Sequence, residues 1–213
     1  MQTTKTLVLS CAGIGSRLGL GKTKALVDIC GRTLIAWQLE LFKDVEDLRI
    51  VIGYQAEDVI KEVTKYRKDV IFVYNHRYFE TKTGASFFLG SQYANEYVIE
   101  WDGDLVVHPE DAAKCLEYEG EYIAYSDKSS EDGVYVTLNQ DGDIISFSKD
   151  GGSYEWTGPA SIKSKKLKYT EKNVFDQLST HLPMKGLKIQ ARDIDTYEDY
   201  ENVLELVSEW RNA

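Results

Sequence analysis

No apolar run in the 213 residues approaches the roughly 20 that a membrane-spanning helix needs, so no membrane partner is expected. Cysteine is scarce. Cys11, Cys30 and Cys115 form an odd set without a CxxC pair, which fits reduced core thiols of a cytoplasmic protein better than a disulfide framework or a zinc site. Positive charge is short as well: 25 Lys and Arg stand against 35 Asp and Glu, a net charge of −10. The basic footprint of a duplex-binding protein is missing, and no nucleic-acid partner is expected. His76, His108 and His181 share no spacing that points to a metal or a general base. The N-terminal MQTTKTLVLSCAG turns glycine-rich too soon to read as a signal peptide. Internal repeats and low-complexity linkers are absent, so one domain over 1–213 is the simplest account.

The remaining 43% hydrophobic residues are distributed in a definite order. Buried-strand patterns fall at 5–11, 48–54, 69–75 and 97–104, separated by helical patterns at 33–43, 56–67 and 84–94. Alternation of this kind predicts an α/β fold with a mostly parallel sheet covered by helices. The second half reads differently. Strand-like segments lie at 121–126, 133–139 and 143–149, the last two joined by the turn NQDGD into a hairpin. An extended segment follows at 153–162. Residues 164–182 read as largely helical, 186–194 as a last strand and 196–210 as a last helix with an acidic first turn.

Three stretches carry chemistry. GIGSRLGLGKTK (13–24) directly follows the first strand. Glycines there let backbone N–H groups approach an anion, while Arg17 offers a planar fork and Lys24 a point charge for phosphate oxygens. The loop matches neither GxxxxGK[ST] nor GxGxxG in register. WDGD (101–104) ends an apolar strand. In an extended chain Asp102 and Asp104 would point to one side and offer hard oxygens to Mg²⁺. RDIDT (192–196) ends the last strand, where Asp195 would add a carboxylate, although Asp193 and Asp195 also fit as caps of the last helix. Together the three give phosphate binding plus a metal, the requirements of phosphoryl or nucleotidyl transfer.

The same segments resemble the nucleotidyltransferase (pyrophosphorylase) family with its glycosyltransferase-A-like, Rossmann-related αβα sandwich. LVLSCAGIGSRLGLGKTKALVDICGRTLIAWQLELF is similar to its opening signature, VIGYQAEDV to its second strand, VIEWDGDLVV to its acidic motif and ARDIDTYEDYE to its closing segment. The match runs from residue 5 to 200. VYNHRYFETKTGASFFLG and EWTGPAS look like segments of the branch that handles phosphocholine, phosphonates and sugar phosphates. One departure stands out: the proline that usually precedes the signature lysine is Thr23 here.

The resemblance implies that an NTP and a phosphate monoester or phosphonate give a nucleotide-linked product and pyrophosphate. Ala12, Gly13, Gly15 and Ser16 would line the nucleotide, Arg17 would hold the leaving pyrophosphate, and Lys24 would contact the α-phosphate or the attacking phosphate. Asp102 or Asp104, with Asp195, would hold Mg²⁺. Gln55, Gly84 and Ser86 are placed to meet the base, with helix capping as the plainer reading of the TKTGAS stretch. Glu155 and Trp156 would recognise a quaternary ammonium, and Lys163 the acceptor phosphate, against plain packing and a solvated face. Residues 1–110 would form the nucleotide half and 111–213 the acceptor half of a monomer or simple homodimer. CTP with a phosphocholine- or phosphonate-like acceptor is the favoured pair, and a sugar-1-phosphate nucleotidyltransferase the runner-up. A glycosyltransferase using DGD as its donor-metal motif, and a non-catalytic nucleotide sensor, stay open.

Overall fold

In the computed structural model, which describes residues 5–129 and 133–212, the chain builds thirteen strands and six α-helices among those residues. The first four residues of the N-terminal stretch considered above lie outside them. The order is β1 (Lys5–Cys11), β2 (Asp28–Ile29), β3 (Arg32–Thr33), α1 (Leu34–Leu41), β4 (Asp47–Ile52), α2 (Ala56–Tyr66), β5 (Ile71–Tyr74), α3 (Thr83–Gly90), β6 (Tyr97–Asp102), β7 (Leu105–Val107), α4 (Pro109–Glu117), β8 (Tyr122–Asp127), β9 (Tyr135–Leu138), β10 (Asp143–Ser148), β11 (Tyr154–Lys163), α5 (Val174–Leu178), β12 (Met184–Lys188), β13 (Ala191–Asp193) and α6 (Tyr197–Asn212).

The main sheet runs β5-β4-β1-β6-β11-β8-β12-β10-β9. Its first four strands are parallel, as the βαβα pattern requires, and β11 then enters antiparallel to both β6 and β8. The sheet is mixed, as expected: its continuous parallel part lies in the first half, and pairing beyond β6 is mostly antiparallel. Helices cover both faces. Ile35 and Leu39 of α1, Val59 and Val63 of α2, and Ala112 and Cys115 of α4 pack on one face with Leu7, Leu9 and Trp101. Phe87 of α3 and Val174 and Leu178 of α5 pack on the other with Val8, Val98 and Ala160. The alternation of Leu7, Val8 and Leu9 between the two clusters is the period-2 signature of a strand buried on both sides.

Chain order sets where the sheet opens a crevice. From β1 the chain goes outward to β4 and β5, then returns to place β6 on the other side of β1. The reversal opens a crevice at the carboxyl ends of β1 and β6, the usual ligand position in an open α/β sheet. Gly13 follows the end of β1, and Asp102 ends β6.

Two expectations are corrected. Residues 164–182 are helical only at 164–166, 174–178 and 179–181, because the carbonyls of Glu171 and Lys172 bond the amides of Lys82 and Gly84 at the start of α3. Residues 186–194 are not one strand. β12 pairs with β8 in the main sheet, whereas β13 leaves it to pair antiparallel with β7. Helix α4 was not anticipated, although Pro109 opens it and His108 Nδ1 accepts from Glu110 N.

Candidate active site

The glycine loop is shaped by left-handed turns. Gly15, Gly19 and Gly21 have φ of 66°, 72° and 64°, a region that costs any residue with a Cβ. Gly15 also lies against Lys24, since a Cβ there would come within 2.8 Å of Lys24 Cγ. Leu18 anchors the middle of the loop in a small cluster with Ile29, Leu34 and Val203. The loop borders a cavity of about 330 Å³ lined by Gly13, Gly15, Ser16, Arg17, Lys24, Lys82 and Asp104, among others. Ala12 is buried just behind, its carbonyl accepting from Tyr54 N at 3.1 Å.

The acidic stretches converge on this loop. Lys24 Nζ donates to Asp104 Oδ2 at 2.6 Å and also to Asp195 Oδ1, which in turn accepts the Arg17 guanidinium at 2.8 Å. Burial works against the Lys24 ammonium, but Asp104 and Asp195 outweigh it and hold its pKa above the ordinary lysine value. Asp195 is free for this role because Thr196 and Asp199 cap α6: Thr196 N donates to Asp199 Oδ2, and Asp199 N to Thr196 Oγ1. The capping expected of Asp193 and Asp195 falls to that pair instead.

Asp102 and Asp104 do not share one side of a strand. β6 ends at Asp102, and Gly103 turns so tightly against Ser10 that a Cβ would meet the Ser10 carbonyl at 2.6 Å. The turn sends Asp104 to Lys24 and leaves Asp102 beside Gly158, whose position of φ 118° lies in a bulge of β11. Burial, then the Asp104 carboxylate, pushes the Asp102 carboxyl up to about 7. Burial also holds Glu100 and Asp193 well above the carboxylate range, with Asp102 and Asp104 adding to it.

Five carboxyl groups thus crowd two cations. Both oxygens of Glu100 and Oδ1 of Asp193 are buried without a hydrogen-bond partner among the described residues. Hard, under-neutralised oxygens fit a divalent cation such as Mg²⁺. No group of three or more such side chains is already arranged as a metal site among the described residues. The Lys24 ammonium occupies the space between Asp104 and Asp195.

A pH dependence follows from Asp102. Its folded pKa of about 7 exceeds the ordinary value near 3.9. The unfolded chain therefore releases this proton first, and the group's contribution to stability declines from about pH 4 to pH 7. In metal-free protein, Asp102→Asn is expected to gain melting temperature relative to the parent between pH 5 and pH 8. An equal difference at both pH values would remove Asp102 as the source.

The base-side residues are placed differently from expectation. Gln55 directs its amide into the loop, accepting from Thr23 N at 2.8 Å and donating to Gly21 O at 3.2 Å. Ser86 is buried, its hydroxyl accepting from Asn75 Nδ2 at 3.0 Å. Gly84 admits the crossing 170–173 segment, since a Cβ would meet Lys172 O at 2.6 Å. From the same stretch it is Lys82, not singled out in the sequence, that reaches the cavity wall. Its ammonium has no ion pair among the described residues, because the neighbouring Glu80 and Glu171 are both taken by Arg77. Only its charge, directly before TGAS, marked it.

On the acceptor side, Glu155 is buried and accepts from Ser129 N at 2.9 Å and Ser129 Oγ at 3.1 Å, so it holds a loop. Lys163 pairs with Glu96 at 3.3 Å and lies over Tyr97, at the opposite end of β6 from Asp102. It is not brought to the site. Trp156 packs edge-on to Phe147 and Phe175, at 5.9 and 6.2 Å between ring centroids, and donates Nε1–H to Gly158 O.

A parallel α/β half-sheet whose switch point sets a cationic glycine loop against carboxylates belongs to the class of nucleotide-handling transferases. Within that class, residues 7–147 match the family model of the MobA-like NTP transferase domain, and the chain belongs to that family of nucleotidyltransferases. It is 27% identical over 120 residues to the bifunctional protein GlmU of Sulfurimonas denitrificans and 30% identical over 132 residues to that of Clostridium novyi, covering 27% of the length of each. It spans about a quarter of those relatives and matches them over 55% and 56% of its own length. Among solved structures, the CTP:phosphocholine cytidylyltransferase LicC of Streptococcus pneumoniae aligns at a TM-score of 0.77 and 18% identity, over 96% of this chain and 99% of that one. The inositol-1-phosphate CTP transferase of T. maritima aligns at 0.80 and 20%, over 99% and 97%. These similarities show a common fold.

Proposed function

We propose that this chain transfers a nucleoside monophosphate from an NTP, with CTP favoured, to a small phosphorylated acceptor of phosphocholine or phosphonate type, releasing pyrophosphate. The observation that carries the reading is the convergence of Arg17 and Lys24, from the glycine loop, on Asp104 and Asp195 at the sheet's switch point. The acceptor's phosphate oxygen attacks the α-phosphorus in line, and the bond from that phosphorus to the β-phosphate bridging oxygen breaks. Lys24 and Lys82 neutralise the phosphates that meet in the cavity, Arg17 holds the departing pyrophosphate, and backbone amides of 13–16 orient the triphosphate. Asp102, Asp104 and Asp195 are the residues that would hold Mg²⁺. Bound there, the ion supplies charge neutralisation to the phosphate oxygens.

Support for CTP is the likeness to the phosphocholine cytidylyltransferase and the inositol-1-phosphate CTP transferase, both named for that nucleotide. Support for a cationic acceptor is Trp156, two residues before Gly158 on β11, with Phe147 of β10 and Phe175 of α5 packed against it, since aromatic faces attract ammonium groups, as Phe175 already does with Lys149 Nζ at 5.3 Å from its centroid. The sugar-1-phosphate alternative has its own support in the likeness to a putative glucose-1-phosphate thymidylyltransferase from Bacillus anthracis, at a TM-score of 0.77 and 17% identity over 95% of this chain and 94% of that one. We read the chain as one cytoplasmic catalytic unit, with nucleotide contacts up to residue 110 and acceptor contacts beyond it.

The test has two stages. Melting temperature is measured with each NTP, with and without Mg²⁺, because a ligand that binds the native state raises it. Pyrophosphate release is then followed with the stabilising NTP and either phosphocholine or a panel of sugar 1-phosphates. Mg²⁺-dependent stabilisation by CTP and release with phosphocholine support the favoured pair. Release only with a sugar phosphate moves the reading to the alternative. Stabilisation only by a nucleotide sugar overturns both.

A further inference from the structure

The glycine loop leaves the protein body after Gly13 and returns at Lys24, and one side chain outside it holds its closing end. Gln55, between β4 and α2, has φ 50° and ψ 39°, a left-handed conformation that a residue with a branched-free but full side chain rarely adopts. The strain turns its carboxamide toward the loop. Gln55 Oε1 accepts the Thr23 amide at 2.8 Å, and Nε2 donates to the Gly21 carbonyl at 3.2 Å. The two partners fix which end of the amide is which, since one offers only a proton and the other only lone pairs. Thr23 is itself 2% exposed, and its hydroxyl donates to Gly13 O at 3.3 Å, joining the two ends of the loop. Its backbone sits at φ −60° and ψ 142° and sets the start of the turn that carries Lys24.

We infer that Gln55 is a positioning residue: with Thr23 it clamps the phosphate-binding loop shut and so places Lys24, without itself touching the nucleotide. This rests on the nucleotidyltransferase reading. Both of its amide groups are engaged by loop backbone, and each bond lies on the lysine side of the loop's tip. Thr23 needs the clamp because only a hydrogen bond, not a ring, restrains its φ. That φ is already the value proline imposes. A proline at 23 would lose the amide that Gln55 holds and would supply the restraint covalently, so it should make Gln55 dispensable.

The test measures binding of inorganic tripolyphosphate and of each NTP to the full chain, with Mg²⁺, for the parent, Gln55→Ala, Thr23→Pro and the double variant. Gln55→Ala is expected to weaken tripolyphosphate and every NTP by one common factor, about tenfold, as loop ordering is charged against binding. The double variant is expected to bind within about twofold of Thr23→Pro alone, the signature of sites that act as one unit. Unchanged tripolyphosphate binding with an altered ranking of the NTPs would mean that Gln55 contacts the base, and overturns the clamp. Unchanged binding of every ligand overturns it equally. Thr23→Pro also gives up the Gly13 bond, so if it does not fold, the tripolyphosphate result with Gln55→Ala decides alone. Failure of the parent protein to bind any triphosphate would instead bring down the nucleotidyltransferase reading on which the clamp depends.

Discussion

Lys24→Met is expected to lower kcat/KM for pyrophosphate release by about 10²- to 10³-fold, the range seen when one preorganised charge is removed from a reacting centre. Methionine keeps the stem that packs on Gly15 and removes only the ammonium between Asp104 and Asp195. If Lys24 bears on charge that develops in the transition state, kcat and kcat/KM fall together. A rise in KM alone would assign it to ground-state binding. The variant should also lose about 1–2 kcal/mol of stability at neutral pH, between the values for exposed and buried pairs, because two partly buried carboxylates lose their shared counter-ion. Steady-state kinetics with the pyrophosphate assay checks the first effect, and thermal melts at neutral pH check the second. A kcat/KM within about threefold of the parent would take Lys24 out of the reacting centre.

Trp101→Ala is the substitution expected to damage the fold most, by about 3–5 kcal/mol. Trp101 is fully buried in β6 and meets Phe42 edge-on at 4.9 Å between ring centroids. The void would open one residue before Asp102, in the strand end that presents 102–104 to the loop. Urea unfolding should show a lower midpoint at an unchanged slope. Trp101→Phe should lose clearly less. It keeps most of the ring, and it discards an indole N–H that has no hydrogen-bond partner among the described residues. Equal losses for the two variants would mean that the indole, not the ring volume, matters.

Where a feature is set by neighbours in the chain, it was readable in advance. β1, β4 and β6 announce themselves by short runs dense in apolar residues, and α2 by its spaced valines and its acidic first turn. The placing of the glycine loop beside the 102–104 turn follows from the same logic: segments after the carboxyl ends of neighbouring parallel strands, here β1 and β6, face one crevice. Prediction was poorest where a residue's partner is remote. TKTGAS and the 164–182 segment each look complete alone. In the fold, Glu171 and Lys172 turn their carbonyls to α3, which undoes helix in one segment and consumes Gly84 in the other. Glu155 read as a recognition charge because its partner Ser129, 26 residues earlier, has no marker in the sequence.

The sequence by itself determined the βα order, the position of the cationic glycine loop after the first strand, and the excess of acid over base in the chain as a whole. These are local matters of side-chain period, turn preference and composition. Only the tertiary structure decided which charges meet. The turn at Gly103 separates Asp102 from Asp104, β13 pairs with β7 outside the main sheet just before Asp195, and Gln55 turns its carboxamide to the loop backbone. Each outcome depends on close packing between segments tens of residues apart, where a few tenths of an ångström decide whether a Cβ fits or a hydrogen bond closes, and such distances have no counterpart in the linear order of residues.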